Sequence, residues 1–216
     1  MAINIKSTHE IHQEGIKCVI YGESGVGKTV LCSTAPKPLI ISAESGLLSL
    51  SSKHIDYIEI RSIRDIGDAY SFAAKSDYST ICLDSLSEIA EVCLTAFKKD
   101  VADGRQAYMK LSEHFGALIR NFRDLRDKDV VFIAKQKRIT DEESGSSHFE
   151  PYLPGQVLPF NLPYLVDEVF CMRMSRKGER YLQTSADRRY VAKDRSGKLS
   201  SEEKPNLTEL FQIIRS

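Results

Sequence analysis

The sequence predicts an α/β fold in which a mostly parallel sheet carries helices on both faces and ends in a C-terminal antiparallel hairpin extension. Apolar runs at 39–42, 79–84 and 129–135 lack polar alternation and are separated by segments with helical periodicity. That pattern is typical of parallel strands buried on both faces. Short strands broken by turn residues follow over 167–195, which favours antiparallel pairing there. We expect one domain over residues 1–216, because this length suits a single core.

The first strand leads directly into a glycine-rich motif. Residues 16–21 are mostly apolar and are followed by Gly-Glu-Ser-Gly-Val-Gly-Lys-Thr and the start of a helix, the strand-to-helix context of a phosphate-binding P-loop. Glycines let backbone N–H groups face phosphate oxygens, the lysine supplies a cation, and the threonine hydroxyl can bind Mg²⁺. The sequence therefore predicts a site for a nucleoside triphosphate, with ATP and Mg²⁺ as cofactors. Its residues are Gly22, Glu23, Ser24, Gly25, Val26, Gly27, Lys28 and Thr29.

Three polar residues follow the ends of later predicted strands. Asp84 ends the run 79–84 and suits a metal-binding carboxylate, although a simple turn aspartate is the alternative. Glu44 follows 39–42 and could deprotonate the water that attacks the γ-phosphate, or be an exposed loop residue. Gln136 follows 129–135 and could sense the γ-phosphate. Because the carboxyl ends of parallel strands converge on a ligand crevice, we expect these side chains to meet there.

Composition limits the other possibilities. Lys+Arg and Asp+Glu both total 30, so the chain as a whole has no electrostatic preference for nucleic acid. The five cysteines form no C-x-x-C pair, which favours reduced thiols in a cytosolic protein. No apolar run has signal-peptide or membrane-spanning character. We therefore expect a cytoplasmic protein with no membrane partner.

Two segments stand apart from the sheet. Residues 1–15 form an N-terminal lead-in, and residues 136–156 are polar and rich in Gly, Ser and Pro, so we expect a mobile loop there.

The C-terminal part is locally basic, with nine Lys and Arg residues against three acidic ones between 173 and 198. These could follow a nucleic-acid backbone, with Tyr181 and Tyr190 stacking on bases, or act as cations in a neighbouring subunit's site. A solvated hairpin face is the third alternative.

The P-loop, the Ala43-Glu44 pair, the segment 81–86 and Gln136 together resemble the RecA-type ATPase core. More closely, the motif Gly-Glu-Ser-Gly-Val-Gly-Lys-Thr, the Ala-Glu-Ser-Gly segment and the closing Ala-Lys-Asp-Arg of 192–195 are similar to phage-encoded RecA-like recombinases of the Sak single-strand-annealing group. The resemblance implies that Lys28 and Thr29 bind phosphate and Mg²⁺ and that Asp84 serves the metal. It also implies Glu44 as hydrolytic base and Gln136 as γ-phosphate sensor.

The same resemblance implies partners. The loop after the sensor strand, 137–154 here, would meet single-stranded DNA, although its four carboxylates outnumber Lys137 and Arg138. Lys193 and Arg195 would enter the catalytic site of a neighbouring subunit in a ring or filament. A single-strand-binding protein would be a further partner, and a phage origin would place the protein in the host-cell cytoplasm.

Three functions remain open from the sequence. The first is a DNA-stimulated ATPase that promotes annealing or homologous recombination, which we favour. The second is a small-molecule kinase acting on a nucleotide or nucleoside, with the basic 173–195 region as a lid; this function gives Glu44 no role. The third is a nucleotide-dependent switch, although the absence of an Asn-Lys-x-Asp sequence argues against its GTPase form.

Overall fold

The computed structural model describes residue 7 and the ranges 15–44, 47–143 and 145–216. The expected lead-in over 1–15 therefore lies almost wholly outside the described residues. The strands are β1 Lys17–Gly22, β2 Pro38–Ser42, β3 Tyr57–Glu59, β4 Thr80–Asp84, β5 Asp129–Thr140, β6 Ser147–Tyr152, β7 Glu168–Met174, β8 Arg180–Gln183, β9 Lys193–Asp194 and β10 Glu202–Glu203. The helices are α1 Lys28–Cys32, α2 Ile63–Lys75, α3 Leu86–Asp100, α4 Gly104–Arg123, α5 Val157–Leu165 and α6 Leu207–Arg215.

All of these strands belong to one sheet, whose main order is β10-β8-β7-β1-β5-β4-β2-β3. The neighbours from β7 to β3 are parallel, whereas β8, β9 and β10 join antiparallel at the β7 edge. The predicted fold class is confirmed. One detail differs, because β7 itself is parallel to β1, so the antiparallel region begins only at β8.

Strand β1 lies inside the sheet and is buried along its whole length. Val19 and Tyr21 belong to one apolar cluster with residues of α2, α3 and α4, while Cys18 and Ile20 belong to a second cluster with α1 and α6. Because successive side chains of a strand point to opposite faces, both sets are apolar and the sequence shows no alternation. All five cysteines are buried and free.

The expected loop over 136–156 is wrong for most of its length. Strand β5 continues past the predicted end at 135 to Thr140 and pairs antiparallel with β6, from Lys135 opposite Tyr152 to Thr140 opposite Ser147. The pairing satisfies the backbone of a segment whose side chains are mostly polar, which is why hydrophobicity did not reveal it. Phe149 of β6 stacks on Tyr190, with 5.0 Å between ring centroids, and holds the hairpin against the chain after β8.

No helix within the described ranges is long and apolar enough to cross a membrane.

Candidate nucleotide-binding site

The P-loop follows β1 and requires its glycines for two reasons. Gly25 and Gly27 have φ angles of 77° and 106°, in the left-handed region that other residues rarely adopt. At Gly22 a Cβ atom would lie 2.4 Å from the carbonyl oxygen of Met172, so the loop can approach β7 only without a side chain. The side chain of Val26 is buried in the core, and this residue can contribute only its backbone to a ligand.

Lys28 bridges the two arms of the loop. Its Nζ atom donates hydrogen bonds to the carbonyl oxygens of Gly22 and Glu23, each at 2.8 Å. Burial lowers the pKa of this ammonium group, while the nearby carboxylates of Asp84 and Glu44 oppose the shift. The cation is thus held at the mouth of the loop, where phosphate oxygens can replace the carbonyl partners.

Thr29 and Asp84 form a pair beside the loop. Asp84 ends β4 with only 3% of its surface exposed, and the Thr29 side chain lies next to its carboxylate. Burial raises the pKa of Asp84, and the contacts with Thr29 and Lys28 oppose that shift. The sequence placed these residues on different elements, and the structure brings them together.

The Thr29–Asp84 pair fits a magnesium ion bound together with a nucleotide. Mg²⁺ prefers oxygen ligands and usually takes only one or two carboxylates, completing its shell with waters and substrate phosphates. Across the part of the chain that the structure describes, no cluster of three or more His, Cys, Asp or Glu residues could hold a metal alone. A hydroxyl and a buried carboxylate next to a phosphate loop are the donors that such a shared shell needs.

Glu44 lies beside Asp84 and is fixed by a neighbouring hydroxyl. Its Oε1 atom accepts a hydrogen bond of 2.6 Å from Ser85 Oγ, and its backbone N–H donates to Ser42 Oγ at 3.2 Å. Ser85 is also the N-cap of α3, where its hydroxyl accepts a hydrogen bond from the Glu88 N–H. The sequence analysis did not single out Ser85, although a serine three residues before a glutamate is a readable cap pattern.

Gln136 reaches the same cleft from β5, the strand between β1 and β4. Because β5 lies between β1 and β4, Gln136 stands between the P-loop and Asp84. Its Oε1 atom is 3.7 Å from Cys171 Sγ, a weak contact that leaves its amide group little constrained. The preceding Lys135, which we had not predicted as a site residue, lines the cleft and pairs with Glu88.

The cleft formed by these elements has a volume of about 910 Å³, large enough for a nucleoside triphosphate. The P-loop, Glu44, Asp84 and Gln136 line one part of it. Met172, Arg180 and Pro205 line another part and come from the C-terminal strands and the approach to α6. Met172 and Pro205 were not predicted as site residues, and Arg180 was considered only as part of the basic 173–195 region. The pairing of β7 with β8 brings Met172 and Arg180 beside the loop.

Lys193 and Arg195 do not enter this cleft. They lie near the start of β7, since Lys193 pairs with Val169, and β7 runs parallel to β1. The start of β1 is separated from the P-loop by six residues, roughly 20 Å of extended chain. Arg195 lines a different cleft, of about 680 Å³, next to the starts of β1 and β7. Within their own chain, the two residues therefore lie away from the nucleotide cleft.

Both side chains have partners inside the chain. Lys193 Nζ donates to the carbonyl oxygens of Pro163 and Val166, and Arg195 Nη1 lies 3.0 Å from Asp167 Oδ1. Burial is the main cause that lowers the pKa of Lys193. These contacts give both residues a structural role near the start of β7. A role in a neighbouring subunit's site stays a prediction, and it would require these contacts to break.

A glycine-rich loop between a buried strand and a helix, with its lysine, threonine and partner aspartate in one cleft, defines the chain as a P-loop NTPase. The family model described as the AAA domain matches residues 14–196, and the chain belongs to this family. The predicted P-loop NTPase fold with a mostly parallel sheet is confirmed. The phage origin and the Sak group stay predictions.

Comparisons with individual proteins add little detail. No curated protein matches the chain significantly. Among solved structures, a KaiC-like protein from the hyperthermophilic archaeon Pyrococcus horikoshii OT3 is similar at 12% identity, with a TM-score of 0.44. The similarity covers 78% of this chain and 77% of that chain.

Proposed function

We propose that the protein hydrolyses ATP with Mg²⁺, with Glu44 as the general base. The observation that carries the proposal is the position of the Glu44 carboxylate, which lines the P-loop cleft beside Asp84 and is oriented by Ser85 at 2.6 Å. A base needs a fixed carboxylate within reach of the attacking water. Within the described residues Glu44 forms no ion pair that would compete with that task.

The remaining groups have complementary tasks. The backbone N–H groups of the loop and the ammonium group of Lys28 would hold the β- and γ-phosphates, and Gln136 would contact the γ-phosphate. Thr29 and Asp84 would hold Mg²⁺, which supplies positive charge to the phosphate oxygens. Because these groups come from the ends of β1 and β4 and from the point where β5 leaves its parallel pairing, the parallel sheet itself fixes their spacing.

We further propose that single-stranded DNA is the physiological partner and that an oligomer of this chain promotes annealing or recombination. Support comes from the resemblance to RecA-like annealing proteins and from exposed cations on the β5–β6 and β7–β8 hairpins, including Lys137, Arg138, Arg176 and Lys177. Arg173 lies over Tyr190 at 3.9 Å and over Tyr181 at 5.5 Å. Because Arg173 already packs on both rings, phosphate contacts are the better-supported mode of binding.

The test is ATP hydrolysis by the wild type and by Lys28→Ala, with and without single-stranded DNA. We expect Mg²⁺-dependent phosphate release that single strands accelerate and that Lys28→Ala abolishes. Annealing of complementary strands, assayed alone and with a single-strand-binding protein, tests the finer proposal. If DNA neither binds nor stimulates, the DNA function is contradicted while the ATPase remains.

A kinase is the second candidate, because the open cleft could admit an acceptor beside the γ-phosphate. The two candidates differ in product. Hydrolysis releases inorganic phosphate without an acceptor, whereas a kinase transfers the γ-phosphate to one. A screen of nucleosides and nucleotides that yields a phosphorylated acceptor, with little phosphate release in its absence, would favour the kinase over the ATPase.

A further inference from the structure

Arg180 covers the P-loop from the side of the C-terminal strands. A Cβ atom built on Gly27 would lie 3.3 Å from Arg180 Nε and 3.5 Å from its Cδ. The arginine side chain thus packs directly on the backbone of the loop. Arg180 also lines the nucleotide cleft together with Lys28 and Thr29. The guanidinium group therefore lies next to the backbone that would hold phosphate.

The strand register explains this position. Arg180 pairs with Met174, and Leu182 pairs with Met172 in the antiparallel β7–β8 ladder. Residues two apart on a strand share a face, so Arg180 lies on the face where Met172 and Leu182 pack with residues of α1 and α6. Arg180 is the first residue of β8, and it lies over the loop instead of entering the core.

Within the described residues, the guanidinium group of Arg180 has no hydrogen-bond or ion-pair partner. Three other cations of the sheet do have one: Lys135 pairs with Glu88, Arg173 donates to Gln183, and Arg195 pairs with Asp167. An exposed guanidinium group beside a second cation, Lys28, is a favourable arrangement when an anion binds between them.

We propose that Arg180 binds the phosphate chain of the nucleotide in its own chain, opposite Lys28. A guanidinium group donates two parallel hydrogen bonds to phosphate oxygens, which an ammonium group cannot do. The inference rests on the nucleotide site proposed above, and it goes beyond that proposal by adding a phosphate ligand from the β7–β8 hairpin. The arginine acts in cis, unlike the neighbouring-subunit role expected for Lys193 and Arg195.

The test measures binding without DNA and without turnover, so a non-hydrolysable ATP analogue takes the place of ATP throughout. The fluorescent form of the analogue, bound to the protein with Mg²⁺, is displaced by the unlabelled analogue or by inorganic tripolyphosphate, for wild type, Arg180→Gln, Arg180→Lys and Arg176→Gln. The last variant is the matched control, because Arg176 is an exposed cation of the same hairpin that does not line the cleft. We expect Arg180→Gln to weaken both competitors about 10- to 100-fold, as for a lost charged hydrogen bond.

The controls separate the outcomes. Arg180→Lys should retain part of the affinity, and Arg176→Gln should change it less than about threefold, because exposed charges interact weakly. If Arg180→Gln weakens the ATP analogue but not tripolyphosphate, the arginine contacts the nucleoside and the proposal is overturned. Unchanged affinity for both competitors also overturns it. Equal thermal midpoints for Arg180→Gln and Arg176→Gln exclude misfolding as the cause of any loss.

Failure of the proposed function gives a different result. A protein that binds both competitors through Arg180 but releases no phosphate from ATP would contradict the ATPase and leave this inference standing. A wild type that binds neither competitor would contradict both.

Discussion

Asp84 and Glu44 are neighbouring carboxylates in different surroundings. Asp84 is almost fully buried next to the Thr29 side chain, while Glu44 is half-buried and accepts a hydrogen bond from Ser85. A metal ligand needs a fixed position next to the phosphate loop, whereas a base needs access to water. The surroundings therefore separate the two tasks in a way that the sequence alone could not.

Glu44→Gln tests the base. We expect ATP affinity to stay within about threefold of wild type, while kcat falls by about 10²- to 10⁴-fold, because the amide cannot accept a proton. Phosphate release gives kcat, and displacement of fluorescent ATP gives affinity. Glu113→Gln, an exposed substitution on α4, is the control and should match wild type. Undiminished turnover in Glu44→Gln would assign the base elsewhere.

Several site residues could be predicted because a residue that follows an apolar strand can be recognised from the neighbouring sequence alone. The P-loop, Glu44, Asp84 and Gln136 follow recognisable apolar strands, and all of them line the cleft. Arg180 could not be placed, since its position depends on the register between β8 and β7 and on the parallel pairing of β7 with β1. The same long-range pairing puts Lys193 near the start of β7, at the end of the strands opposite the P-loop.

At the scale of elements, the start of α3 connects helix formation with chemistry. Its N-cap, Ser85, accepts the Glu88 N–H and donates to Glu44, so one hydroxyl both ends the β4–α3 turn and orients the base. The helix begins directly after the metal-binding strand. Any shift of its first turn would move the base relative to the nucleotide.

Ser85→Ala tests this connection. We expect a loss of about 1 kcal/mol in the free energy of unfolding, because the helix loses its side-chain cap. We also expect kcat to fall with little change in ATP affinity, because Glu44 loses its orienting donor. Urea unfolding and phosphate release measure the two effects. Ser85→Thr keeps the hydroxyl and should restore both, and failure of both to recover would contradict the shared role.

The elements differ in how well their sequences define them. Strands β1, β2 and β4 are continuous apolar runs and were predicted within a residue or two. The β5–β6 hairpin was missed because its polar strands face solvent and its anchor, the Phe149–Tyr190 stack, joins residues distant in sequence. Backbone pairing can order a segment that its composition describes as a loop.

At the scale of the whole molecule, a buried carboxylate lies at the start of β7, at the end of the strands opposite the nucleotide cleft. Glu168 is 1% exposed, and its carboxylate accepts hydrogen bonds from the backbone N–H groups of Arg195 and Ser196. Burial, followed by repulsion from Asp194, raises the pKa of Glu168 from its usual value of about 4.5 to about 7. The folded protein therefore keeps this proton at pH values where the unfolded chain has lost it.

The sign of the pH dependence follows. As the pH rises from about 4.5 to 7, the unfolded state gives up the Glu168 proton before the folded state does, so this group lowers stability across that window. Glu168→Gln removes the titration and keeps a donor for Asp194. Relative to wild type, we expect the melting temperature of Glu168→Gln to be about 5–10 °C higher at pH 8 than at pH 5, equivalent to about 2.5 kcal/mol.

Thermal unfolding followed by circular dichroism at both pH values measures this difference, with Glu113→Gln as the control that should shift with the wild type. A constant offset between Glu168→Gln and wild type at the two pH values would show that Glu168 does not titrate in this range.

The position of β1 in the sheet has a consequence for the order of events during folding. The residues at its start bond to Asp129 and Asp167, which follow them by 113 and 150 residues. During synthesis this fully buried strand therefore emerges before both of its neighbours, a long-range arrangement that slows folding and exposes the strand to aggregation. The P-loop gains its β7 support only when residue 174 has been made. ATP binding can therefore stabilise the protein only after β7 has paired with β1, and it cannot start folding.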